Sequence, residues 1–112
     1  MNYEKCKFYV LLYNDLNKTF HVVQHVGYKL KYKHISLIVA HCLFSETCWC
    51  LYDFDSGARL TNNYRSRKQC LKGEKDNAIN KLRKAHETEE YMRLIKLHDN
   101  LVNEMKNEKG TC

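Results

Sequence analysis

Between Asp55 and Glu74 the chain carries five cations, Arg59, Arg65, Arg67, Lys68 and Lys72, and no carboxylate. Guanidinium forks pair with phosphate or carboxylate oxygens through parallel N–H···O bonds, so a run of this kind reads as an anion-binding surface. Asn62, Asn63 and Tyr64 interleave it. On a loop that opens into a helix, those amides and the first helical N–H groups add donors of the same sense. Arg59, Asn63, Tyr64, Arg65, Arg67 and Lys68 are therefore the principal candidate binding residues. A second run, Lys29, Lys31 and Lys33, alternates with Tyr28, Leu30 and Tyr32. On a strand this alternation puts lysines and tyrosines on opposite faces, so bases could not stack on the rings while phosphates met the lysines. The tyrosines are expected to pack inward, and the lysines to protect the strand and act as diffuse point charges in the binding surface.

His41, Cys42, Cys48 and Cys50 fall within ten residues and raise metal and thiol chemistry. A tetrahedral zinc site draws on two close ligand pairs set on turns, and Cys48-x-Cys50 is tighter than the usual knuckle. His41 and Cys42 point to opposite faces of a strand. A cysteine nucleophile with His41 as base and Asp53 as orienter lacks any local signature of an oxyanion hole. The cysteines read as small buried hydrophobes, and no catalytic residue, metal or cofactor is assigned. His98, on the apolar stripe of the last helix, is expected to be a hydrogen-bonded core or interface residue.

The charge is one-sided. Residues 1–73 hold 11 Lys and Arg against five carboxylates, whereas residues 74–112 hold eight of each, so the net +6 belongs to the first part. Such a field draws polyanions or acidic protein surfaces from a distance. No apolar run approaches the ~20 residues that cross a bilayer, and Met1-Asn2-Tyr3-Glu4-Lys5 lacks an apolar export core. A soluble, cytoplasmic protein with reduced thiols is expected.

The elements that must position these residues follow from periodicity. Phe8–Tyr13 is an apolar run of strand length, closed by Asn14-Asp15-Leu16-Asn17-Lys18, and Thr19–Val26 returns as its hairpin partner. Past Gly27 the alternation from Tyr28 to Lys33 marks a half-buried strand. Ser36–Phe44 and Trp49–Phe54 form a second hairpin with apolar residues on both faces, and Ala58–Thr61 is expected as a short fifth strand. Ser66 with Gln69 has capping-box spacing for a first helix, which Gly73 weakens by about 1 kcal/mol. Thr88, Glu89 and Glu90 open a second, whose stripe is Tyr91, Leu94, Ile95, His98, Leu101, Val102 and Met105. A bend is expected at His86-Glu87-Thr88. The fold is thus one α+β domain over 1–112: a five-stranded antiparallel sheet in 1–64, two helices in 65–108 and a frayed tail at 109–112. Because two helices cover one sheet face, a homodimer through the 37–54 hairpin face or the Tyr91–Met105 stripe is expected.

Trp49-Cys50-Leu51-Tyr52-Asp53-Phe54-Asp55-Ser56-Gly57-Ala58-Arg59-Leu60, leading into Ser66-Arg67-Lys68, resembles the central hairpin and helix start of small phage and mobile-element proteins, some of them anti-CRISPR or other anti-defence proteins. The resemblance implies binding and blocking, and it assigns no residue. With the basic run, it leads to the expectation of a non-enzymatic inhibitor or adaptor acting on a nucleic-acid-handling protein complex. The alternative is direct binding of DNA or RNA through the phosphate backbone.

Overall fold

Four strands and two helices follow one another in a computed structural model that describes residues 4–43, 45 and 47–110, the last three as backbone. They are β1 (Glu4–Asn14), β2 (Thr19–Tyr32), β3 (Ile35–His41), β4 (Trp49–Asp53), α1 (Arg67–Ala85) and α2 (Glu89–Gly110). The sheet is an antiparallel meander in the order β1-β2-β3-β4. Asn14 turns the first hairpin by accepting the Leu16 N–H at 3.0 Å, and Lys18 takes the left-handed conformation that completes it.

The sheet is strongly curled. In a flat four-stranded sheet the outer strands stand about 14 Å apart, three spacings of about 4.8 Å. Here Phe8 of β1 and Tyr52 of β4 have ring centroids 5.3 Å apart. β1 also meets the turn after β4 through the backbone, since the Leu11 N–H donates to the Gly57 carbonyl at 2.9 Å. Two glycines permit this closure. A Cβ on Gly27 would stand 2.5 Å from Ile38 Cγ2 and 2.9 Å from the Val39 carbonyl. Gly57 has φ +73°, and a Cβ there would stand 2.3 Å from the Tyr9 carbonyl.

Curling gives the sheet two cores. Leu30, Leu37, Val39 and Leu51 pack with Cys70, Ala78, Ile79 and Leu82 of α1 and Tyr91 of α2. On the opposite face Phe8 and Val10 fold over Ile38, Ala40, Cys50 and Tyr52. The face expected to need a second chain is therefore covered by the protein's own β1, and Ile38 and Cys50 are fully buried. The Tyr91–Met105 stripe is likewise turned inward, with Tyr91, His98 and Val102 buried.

β2 runs through Gly27 as one strand: Gly27 pairs with Cys6, and from Tyr28 onward β2 also pairs with β3. The fifth strand is reduced to two isolated bridges, Tyr52 with Arg59 and Trp49 with Tyr64. Its ladder breaks because the Thr61 hydroxyl, not a carbonyl, accepts the Leu51 N–H, at 3.0 Å. The helical backbone of α2 extends to Gly110, and residues 111–112 lie outside the described residues.

Both helix starts follow their sequence signals. Ser66 Oγ accepts the Gln69 N–H at 3.1 Å, and Thr88 Oγ1 accepts the Tyr91 N–H at 3.2 Å. The bend falls at residues 86–88. His98 reaches back across the seam, its Nε2 2.9 Å from the Tyr9 carbonyl. No helix among the described residues is long and apolar enough to cross a membrane.

Candidate functional site

The basic loop is a tethered connection between β4 and α1. Asp53 N–H donates to the Ala58 carbonyl and Leu60 N–H to the Leu51 carbonyl, each at 2.8 Å. Trp49 and Tyr64 exchange two backbone bonds of 2.6 and 2.8 Å. Arg59 tightens the turn between these anchors: its Nε donates to the Thr61 carbonyl at 2.7 Å and its Nη2 to Asn63 Oδ1. Asn63 Oδ1 also accepts the Cys42 thiol proton at 2.9 Å. The broken strand thus places the cations on a frame that is held along its length.

The candidate residues divide by role within this frame. Arg65 and Lys68 are exposed. Arg67 is exposed as well, with its guanidinium carbon 4.7 Å from the centroid of the Tyr28 ring. Arg59 and Asn63 are exposed but bonded to each other, so they shape the loop as well as border it. Tyr64 is half-buried and donates to Glu74 Oε1 at 2.5 Å, and that bond pushes its hydroxyl up to about 12. Arg59, Leu60, Thr61 and Asn62 line an open recess of about 520 Å³ with Glu74 and Lys81. The sequence reading missed these last two, although a spacing of seven puts them on one helix face.

The lysine run of β2 belongs elsewhere. Lys29 pairs opposite Ile38 and Lys31 opposite Ser36, on the face away from Leu30 and Leu37, whereas Tyr28 carries Arg67 on the helix side. Lys29 is half-buried, its Nζ 4.0 Å from the Phe54 ring centroid. Lys31 and Lys33 are exposed, and Lys33 sits at φ 55° in the β2–β3 turn. Of the expected inward tyrosines, Tyr28 is half-buried but Tyr32 is exposed. The two basic runs therefore do not merge into one surface.

Among the described residues, His41 and Asp53 are bonded to groups other than a cysteine thiol. His41 stacks on Trp49 with centroids 3.9 Å apart and has its Nδ1 3.2 Å from the Cys48 carbonyl. Asp53 accepts from Ser56 Oγ at 2.6 Å and from the Tyr91 hydroxyl. Burial pushes the Cys50 thiol up to about 12 and the Cys70 thiol up to about 11, away from the thiolate form that attacks electrophiles. Among the described residues no three His, Cys, Asp or Glu side chains converge as a metal site. Comparison with protein-family models, curated proteins and solved structures finds no match to this chain.

Proposed function

We propose that the chain is a small non-enzymatic binding protein, an inhibitor or adaptor of the anti-defence type. Its loop from Arg59 to Lys68 occupies an acidic or nucleic-acid-contacting surface of a protein complex that handles nucleic acid. The observation that carries the reading is the tethering of that loop: cations without a neighbouring carboxylate in sequence project from a segment bonded to β4 at both ends. Preorganised donors lose less conformational entropy on binding than donors on a free loop. Arg65, Arg67 and Lys68 supply the contacts, Arg59 and Asn63 set the shape of the loop, and Lys29, Lys31 and Lys33 add to the long-range field.

Capture from a lysate of cells that carry the partner, with and without nuclease, tests this. Wild type is expected to retain a defined protein partner after nuclease treatment, and Arg65→Glu with Lys68→Glu to lose it while remaining folded, since exposed charges contribute little to stability. Loss of every partner on nuclease treatment would move the reading to direct phosphate-backbone binding. Undiminished capture by the double variant would remove the loop from the interface.

A further inference from the structure

The pairing of β3 with β4 sets His41 opposite Trp49. One step further the same register sets Cys42 opposite Cys48, and the pairing persists there, since the Cys42 N–H donates to the Cys48 carbonyl at 3.0 Å. Residues opposite each other in an antiparallel ladder carry their side chains on one face, and at a hydrogen-bonded pair the Cα atoms stand about 5.5 Å apart. A disulfide bridges Cα separations of about 4.4–6.8 Å. Cys50 belongs to the same cluster, but it lies opposite Ala40 and so diagonally to Cys42. Diagonal neighbours stand about 7–8 Å apart, beyond an unstrained bridge.

The two opposed thiols differ in access. Both are free, Cys42 is buried, and Cys48 is half-buried at the rim of the second core. The burial that keeps Cys50 and Cys70 protonated takes those two out of exchange. Cys42 is also tied to the basic loop. Its thiol donates to Asn63 Oδ1 at 2.9 Å, and the same oxygen accepts from Arg59 Nη2.

We infer that Cys42 and Cys48 form a thiol–disulfide exchange site, which closes to an intramolecular disulfide against a small-molecule disulfide and releases Asn63 as it does so. Cys48, the accessible member, attacks one sulfur of the small disulfide as a thiolate, and the other sulfur takes up the proton and leaves as a thiol. Cys42 then attacks the Cys48 sulfur of the mixed disulfide and expels the second small thiol. Two protein thiols become one disulfide, and the small disulfide takes up the two electrons and two protons to leave as two thiols. A disulfide sulfur has no proton to donate. Asn63 Oδ1 then keeps Arg59 alone as donor, and the turn that Cys42 anchored shifts. The consequence for partner binding rests on the reading of Arg59–Lys68 as the interface; the exchange chemistry does not.

The test equilibrates the full reduced chain over a series of oxidised-to-reduced glutathione ratios, alkylates the remaining thiols and maps the products by mass. Of the six thiols, two are expected to disappear together as a Cys42–Cys48 disulfide within one chain. Cys50→Ala should keep this bond, and Cys48→Ser should abolish it. In NMR spectra of the same samples, the Asn63 side-chain amide and the Arg59 Nε–H signals should shift on oxidation of wild type and stay in place in Cys48→Ser. Six thiols retained throughout, a bridge from Cys42 to Cys50 or between chains, or a Cys42–Cys48 disulfide that leaves both signals unmoved would each overturn the proposal. A disulfide that moves both signals but leaves capture of a protein partner unchanged supports the exchange site and counts against the loop as interface. Failure of one reading is thereby distinguishable from failure of the other.

Discussion

Asp53 is a carboxylate with no exposure to solvent, set opposite Leu37 in the sheet and held by Ser56 and Tyr91. Removing one hydrogen-bond donor leaves a buried acceptor short of partners, a loss of about 1–3 kcal/mol. Tyr91→Phe is therefore expected to lower stability by that amount in urea titration, with an unchanged m-value. Buried acids of the opposite kind govern the alkaline limit. Burial raises the thiols of Cys50 and Cys70 and, with the bond to Asp53, the Tyr91 hydroxyl. Each holds its proton more tightly folded than unfolded, so its contribution is complete below the unfolded value, 9.0 for a thiol. It is then lost as pH rises toward about 11 for Cys70 and about 12 for Cys50. The urea midpoint should fall steadily above pH 9, and less steeply in Cys50→Ala with Cys70→Ala; a flat profile would contradict the burial of these groups. The cysteines read as buried from sequence, but the pairing of Asp53 with Tyr91 was not legible from spacing, because the two are 38 residues apart and nothing local marks them as partners.

At the scale of elements, three glycines give opposite expectations for one substitution. Gly27→Ala drives a methyl into Ile38 and the Val39 carbonyl, and should destabilise by about 1–3 kcal/mol through overpacking and loss of curl. Gly57→Ala adds strain at positive φ to a contact with the Tyr9 carbonyl, and should open the seam between β1 and the turn after β4. Gly73→Ala meets only the Tyr64 ring at 3.7 Å inside a helix, and should stabilise by about 0.5–1 kcal/mol. Thermal or denaturant unfolding of the three variants separates these signs. The sequence shows the elements well where their signals are local: the Asn14 turn, the Ser66 and Thr88 caps, and the period-two run from Tyr28. It hides what long-range contact decides. Nothing around Gly27 in sequence shows that another strand comes there too close for a side chain. Ala58–Thr61 reads as a strand, but a threonine hydroxyl takes the bond that a carbonyl would need.

Curling decides which surfaces the whole molecule can offer. By folding β1 over Ile38 and Tyr52, it closes the face that looked apolar and unpartnered in sequence. Alternation along β2, with Arg67 on the Tyr28 side, separates the two basic runs, which composition alone merged into one field. The loop at Arg59–Lys68 was legible because charge clustering needs no folding to be seen. Its tethering to β4, and the contribution of Glu74 and Lys81, depended on where α1 packs. The most direct test of the proposed role is the affinity of the captured protein partner, freed of nucleic acid, measured against salt for wild type and for Arg65→Glu with Lys68→Glu. The account predicts a measurable affinity without nucleic acid, a shallow salt slope set by a few charged contacts, and a loss of about tenfold or more in the variant. Binding that vanishes without nucleic acid and falls with the steep slope of counterion release, about −0.9 per phosphate on duplex, would contradict it, as would equal affinities for the two proteins.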